Sequence, residues 1–189
     1  MEVLGIFTAF GLSASAGLNA YIPLLIVALL ARFTNLITLR APWDTLSSWW
    51  IIGILVVLSL VEFFADKFPA VNHINDAIQT FVRPAAGAVA FAASANVITD
   101  IHPILAMGMG LLVAGGVHAV KAGAVRPAVT AATGGAGNVP VSLLEDLTST
   151  LISILAVVIP VVIACLLVML TAAIIWWFWR RSNRTAAAH

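Results

Sequence analysis

TAFGLSASAGLNAYIP, residues 8–23, sets small residues and an asparagine inside an apolar run. A second stretch of the same kind, TAATGGAGNVP, occupies residues 130–140. An apolar chain is most simply built from unbroken helices, so two interrupted ones carry information. Non-helical backbone at membrane depth is tolerated only where protein buries it or a cavity hydrates it. A pair of interruptions, one in each half, points to a binding site near the bilayer midplane between repeats.

The composition supports that reading. Of 189 residues, 62% are hydrophobic and 9% charged, and mean hydropathy is +1.09. Soluble domains carry about 25% charged residues, so a soluble domain is excluded and a single integral membrane domain is expected over residues 1–189. At about 20 residues per span, roughly five to seven membrane segments fit. The net charge of +1, with no basic stripe outside the tail, argues against a nucleic-acid partner. The single cysteine, Cys165, has no intrachain partner and reads as filler between helices. Ala14-Ser15-Ala16 has the small-residue look of a cleavage site, but Met1-Glu2 is acidic and the apolar run resumes at Tyr21, so no cleavage is expected.

Residues 3–33 would exceed the hydrocarbon core if fully helical. The interruption over residues 11–19 therefore predicts two half-helices or a sharply kinked span ending at Arg32. A polar loop follows over 34–47, then a transmembrane helix over 48–65 with Trp49 and Trp50 at an interface. Residues 66–83 are the most polar interior stretch. Val71, Ile74, Ile78, Phe81 and Val82 recur there at helical spacing, which predicts an amphipathic or pore-facing helix. Residues 84–99 are small and apolar, with Ala86, Ala90 and Ser94 in the spacing that lets helix backbones approach closely. A turn at 100–103 leads to a span over 104–120, where Ala106, Gly110 and Ala114 share one face and His118 continues it. Small residues fill 122–137, a helix follows over 141–158, and Pro160 introduces a kink. The last span, 161–179, is closed by Trp176, Trp177 and Trp179. Arg180, Arg181 and Arg184 then place a tail, 180–189, in the cytoplasm by the positive-inside rule. The expected class is an all-α polytopic transmembrane helix bundle with two broken or re-entrant helices, in the inner (cytoplasmic) membrane.

Val82-Arg83-Pro84-Ala85 and Val125-Arg126-Pro127-Ala128 match letter for letter. Ser15-Ala16-Gly17-Leu18-Asn19 echoes Gly135-Ala136-Gly137-Asn138, and Ala93-Ser94-Ala95-Asn96 is a third such cluster. The order of the echoes rules out a simple tandem duplication. An inverted repeat of residues 1–83 and 103–181 and chance matching of short Ala and Gly strings both stand as readings.

Among candidate site residues, Arg83 and Arg126 come first. An arginine in an apolar setting normally pairs or lines water. Each precedes a proline, which predicts a helix start just after it. A guanidinium beside helix N–H groups suits an anion; the competing reading is that both snorkel to an interface. Glu62 and Asp66 share one helix face and His73 and Asp76 another, which fits a proton relay or cation site, or else the solvated face of an interfacial helix. Glu145 and Asp146 are adjacent, so only one is expected to face a cavity; both could simply complement a helix start. Asn19, Asn96 and Asn138 could bind substrate or cap half-helices. His118 is expected buried between helices. No motif for nucleophilic hydrolysis, phosphate loops, dinucleotides or metal ligation is present, so no enzyme activity, cofactor or metal is expected.

At GLSASAGLNAYIP, EFFADKFPAVNHINDAIQTFVRPAAGA and TGGAGNVPVSLLED the chain resembles a bacterial family of small polytopic membrane proteins catalogued only as a domain of unknown function. The resemblance implies the membrane class and no activity. The leading expectation is a small transporter or channel-like protein whose breaks bind a small anionic solute or lipid headgroup. The runner-up is a scaffold or accessory subunit that forms a homo-oligomer through small-residue faces. A membrane-embedded lipid enzyme using His73, Asp76 and Glu62 is third.

Overall fold

Helix α1 (Glu2–Leu18) runs unbroken through residues 11–18, where an interruption was expected. In the computed structural model the described residues are 2–67, 69–95, 101–158 and 176, and the described side chains exclude those of 2–4, 69–74 and 76. The small residues of α1 serve close approach rather than breakage. A Cβ on Gly11 would sit 2.7 Å from Ala156 Cβ, and one on Gly17 would sit 2.6 Å from the carbonyl oxygen of Ala114. The helical run lapses only between Leu18 and α2 (Tyr21–Phe33), at Asn19 and Ala20, and Ala20 itself keeps α-helical backbone angles.

A 3-10 turn (Trp43–Ser47) leads into α3 (Trp49–Ala65), whose first turn is capped by Ser48 Oγ accepting from Ile51 N–H at 3.4 Å. Helix α4 (Pro69–Ala95) follows as one element of 27 residues. Pro84 lies inside it, so the expected helix start after Arg83 does not occur. Proline removes one backbone bond there, and packing of α4 along α1 and α5 holds the helix through it.

The second Arg-Pro pair is accommodated differently. Helix α5 (Pro103–Val120) passes into a π turn (Lys121–Val125), in which Arg126 N–H bonds the Lys121 carbonyl, and then into α6 (Arg126–Thr133). The wider turn relieves the clash that Pro127 would make in a regular α-helix. Residues 122–133 are therefore helical, and the second break is only the turn over 134–137. Gly134 and Gly135 there adopt φ of +62° and +92°, a region that glycine enters without a Cβ penalty. Helix α7 (Asn138–Val158) completes the described bundle.

The predicted small faces meet each other. Ala86, Ala90 and Ser94 of α4 are buried, as are Ala106, Gly110 and Ala114 of α5. A Cβ on Gly87 would collide with Ala114 Cβ, and one on Gly110 with the Gly87 carbonyl and with Phe91. Phe10 of α1 closes that end edge-on against Phe91, with ring centroids 5.1 Å apart.

The distribution of polarity is inverted relative to a water-soluble domain. Trp50, Phe81, Ile104 and Leu112 are exposed by 86%, 79%, 74% and 73%, while Arg83 and Glu62 are exposed by 0% and 1%. Among the described residues, two helical runs are long and apolar enough to cross a membrane: Pro103–Thr133, with mean hydropathy 1.7, and Asn138–Val158, with 1.8. Shorter apolar helices cover Gly5–Leu18, Tyr21–Phe33 and Trp49–Ala65. No strand occurs among the described residues. Asn96, Asp100, Pro160, Cys165, the tail 180–189 and, apart from Trp176, the expected span 161–179 lie outside them.

Candidate functional site

The break between α1 and α2 is filled by a carboxylate from α3. Glu62, one turn from the end of that helix, directs both oxygens at Ala20 N–H, at 3.4 and 3.2 Å. Asn19 supplies the rest of the cap, its Oδ1 accepting from Tyr21 N–H at 3.2 Å and from Ile22 N–H at 3.1 Å. Glu62 Oε1 also accepts from Arg83 Nη2 at 2.9 Å and Nε at 3.3 Å. An α-helix N-terminus and a guanidinium thus converge on one buried oxyanion, an arrangement suited to negative charge.

Asp66 follows one turn later, in α-helical backbone geometry just past α3, and so shares the face of Glu62. Its Oδ2 lies 3.6 Å from Arg83 Nη2 and 3.2 Å from Arg126 Nη2. Asn75 Nδ2 donates to Oδ1 at 2.6 Å and Ser142 Oγ to Oδ2 at 3.4 Å. The two arginines of the repeated Val-Arg-Pro-Ala motif therefore meet at one oxygen. His118 of α5 stands on the far side of Arg83, its Nδ1 3.3 Å from Nη1 and its Nε2 3.2 Å from Thr80 Oγ1.

Helix α7 contributes two further arms. Glu145 Oε2 pairs with Lys121 Nζ at 2.7 Å and Arg126 Nη2 at 3.3 Å, and Lys121 also donates to the Leu18 carbonyl at the end of α1. Asp146 accepts from Asn19 Nδ2 at 3.0 Å and from Lys67 Nζ at 3.2 Å. The adjacent acids diverge into two different arms of one cluster, and both are engaged. Below them, Ser15 of α1 touches Ser149 and Ser153 of α7, with Oγ–Oγ distances of 2.8 and 2.6 Å. Gln79, one turn before Arg83 on α4, is buried, and its Oε1 has no donor among the described residues. A groove of about 460 Å³ between α5 and α7 reaches this cluster at Lys121 and Glu145, with walls formed by Leu18, Val117, Val120 and Leu144.

The structure brings Asn19, Glu62, Asp66, Arg83, Arg126 and Glu145 together. Neither arginine snorkels, since Arg83 is fully buried and Arg126 is exposed by only 8%. Thr80 of α4, on the face expected for His73 and Asp76, is exposed. Asn75, Gln79 and Arg83 point inward while Ile78 and Phe81 are exposed. The side chains of His73 and Asp76 lie outside the described ones. Asn138 stands apart, at the start of α7, where it exchanges hydrogen bonds with Thr130 at 2.9 and 3.3 Å. The partner of Asn19 on α7 is instead Asp146, two helical turns further on.

Sequence reading passed over Lys121, Lys67, Asn75, Gln79, Ser142 and the serine seam. For Lys121 the signal was present, because a lone lysine between Val120 and Ala122 is an intramembrane charge that requires a partner. The serines carried none, since single hydroxyls satisfy themselves on their own helix backbone.

The family described as Domain of unknown function (DUF4126) matches residues 6–180, and the chain belongs to it. Neither the search of curated proteins nor that of solved structures finds a match.

Proposed function

We propose that the chain is a small multi-pass transporter or channel-like protein of the inner membrane, with its C-terminus cytoplasmic, that binds an anion at the buried cluster. Exposed apolar helix faces around a charged interior support the membrane setting. One observation carries the site: Arg83 and Arg126 converge on Asp66 Oδ2, and Arg83 also holds Glu62 against the start of α2. Intramembrane ionisable groups that face a bundle interior characteristically mark solute or ion paths. Here the carboxylates of Glu62 and Asp66 occupy seats shaped for an oxyanion. A small anionic solute or a lipid headgroup would take one of those seats. The matching arginine motifs also favour an inverted repeat of residues 1–83 and 103–181, with the broken α1–α2 segment as its re-entrant part.

Against the scaffold reading, small residues of α4 and α5 that could mediate a homo-oligomer pack these two helices together within the chain, which favours the transporter reading. The test is anion-dependent thermal stabilisation and vesicle uptake by purified protein, using wild type and Arg126→Gln. Loss of both responses in a variant that keeps its helical circular-dichroism spectrum is expected. Unchanged stabilisation and uptake would sink the anion site.

A further inference from the structure

We infer that the anion binds together with a proton that Glu62 takes up in place, so that a monovalent oxyanion, free or as the phosphodiester of a lipid headgroup, is handled electroneutrally. This rests on the reading of the cluster as an anion site. Every described cation there already faces a carboxylate: Arg83 faces Glu62 and Asp66, Arg126 faces Asp66 and Glu145, Lys121 faces Glu145, and Lys67 faces Asp146. An added anion would be a buried charge without compensation, which is strongly unfavourable in a low-dielectric interior. One carboxylate must therefore withdraw or be neutralised.

Glu62 is the member whose neutralisation frees a complete seat. Asp66 is held by two guanidiniums, Asn75 and Ser142; Glu145 by Lys121 and Arg126; Asp146 by Lys67 and Asn19. Glu62 is held by one guanidinium and by the long contacts to Ala20 N–H. Its side chain is buried on all sides, so neutralisation in place is easier than swinging out to water. The groups that face it are Arg83 from α4, Asp66 from its own end of α3, Tyr21 from α2 and Lys121 from the π turn, with His118 behind Arg83. A second observation points the same way. Gln79 Oε1, on the Arg83 face of α4, is 2% exposed and lacks a donor among the described residues, which a water or a protonated acid would supply.

In the exchange, the proton bonds to a Glu62 carboxylate oxygen, the Glu62–Arg83 ion pair opens, and the neutral carboxyl turns off Arg83 and Ala20 N–H to free the seat. The oxyanion then accepts from the Arg83 guanidinium and Ala20 N–H. One negative charge is neutralised as one arrives, so the net charge of the site is unchanged. Release runs the same steps backwards.

Dimethyl phosphate, singly charged across the working pH range, serves as the free probe; nanodiscs of phosphatidylglycerol against phosphatidylcholine serve as the lipid probe. For whichever source binds, affinity is expected to strengthen about tenfold per unit fall in pH. Wild-type protein in weak buffer should take up one proton per anion bound, read with a pH dye. Glu62→Gln, neutral and of the same shape, should bind with no pH dependence and no proton uptake. Binding by wild type without proton uptake overturns the coupling and leaves the anion site standing. A pH slope that persists in Glu62→Gln overturns the assignment to Glu62. Absence of binding by either probe at any pH overturns both readings together.

Discussion

Arg83 and Arg126 stand in identical Val-Arg-Pro-Ala contexts, yet they sit in different backbone settings and reach the same atom, Asp66 Oδ2, at 3.6 and 3.2 Å. Arg83 lies mid-helix before a proline that α4 absorbs, while Arg126 follows a π turn that makes room for its proline. The convergence therefore depends on bundle packing, which brings the middle of α4 and the start of α6 to the end of α3. It ties the two halves of the chain through a single carboxylate.

Removing Arg83 should be among the most damaging single changes. Arg83→Gln leaves Glu62 short of its guanidinium and Asp66 with one cation fewer, in a buried site. Breaking a buried pair in this way costs about 3–5 kcal/mol. Arg83→Lys should fall between, because one ammonium cannot serve Glu62 through two nitrogens and also reach His118. Denaturation in detergent, followed by circular dichroism, ranks the three proteins. Equal midpoints for wild type and Arg83→Gln would contradict the described network.

The two asparagines at the helix breaks look alike in sequence and should behave differently. Asn19→Ala removes the acceptor for two N–H groups at the start of α2 and the Nδ2 donor to Asp146, so about 1–2 kcal/mol of destabilisation is expected. Asn138→Ala removes only an exposed exchange with Thr130 at the start of α7 and should stay within about 0.5 kcal/mol. Thermal melts of the two variants decide this.

That contrast marks how far the residues could be read from the sequence alone. Composition and helical spacing were enough for the helical class, for the α4 and α5 faces through Ala86, Ala90, Ala106, Gly110 and Ala114, and for the burial of His118. These are local, periodic properties. The break in residues 8–23 was legible as a feature but misplaced, because small residues serve close helix packing as readily as they serve interruption, and the helical run lapses only between Leu18 and Tyr21. Of the cluster, the acids and arginines stood out because charge in an apolar chain is conspicuous. Their pairing did not, since Asp66 meets Arg126 only through tertiary packing, and Lys121 was hidden in a stretch read for its small residues. The π turn has no sequence signal beyond Pro127, whose accommodation it provides.

Glycines of α4 and α5 should divide by what a methyl group would meet. Gly87→Ala places a Cβ against Ala114 and should cost about 1–3 kcal/mol through overpacking. Gly116→Ala points into open space and should be neutral or stabilising by up to about 1 kcal/mol, as expected for a helix interior. If both substitutions shift the thermal midpoint equally, the α4–α5 seam is not as close as described.

The serine seam between α1 and α7 fixes the height of Asn19 against Asp146, so its loss should be felt at the charge cluster. Ser15 Oγ lies within hydrogen-bonding distance of the hydroxyls of Ser149 and Ser153 and of the Ser149 carbonyl, and all three serines are fully buried. Interhelical hydrogen bonds of this kind contribute on average about 0.6 kcal/mol, with about 1.7 as an upper value. A double-mutant cycle of Ser15→Ala and Ser153→Ala should return a coupling within that range, because the two side chains share one contact. Ser15 is one helical turn before Asn19, so a loosened seam lets the end of α1 move away from α7. Ser15→Ala should then make the Asn19→Ala change less costly than it is in the wild-type background. Additive costs for Ser15 and Asn19 would mean that the charge cluster holds the break without help from the seam.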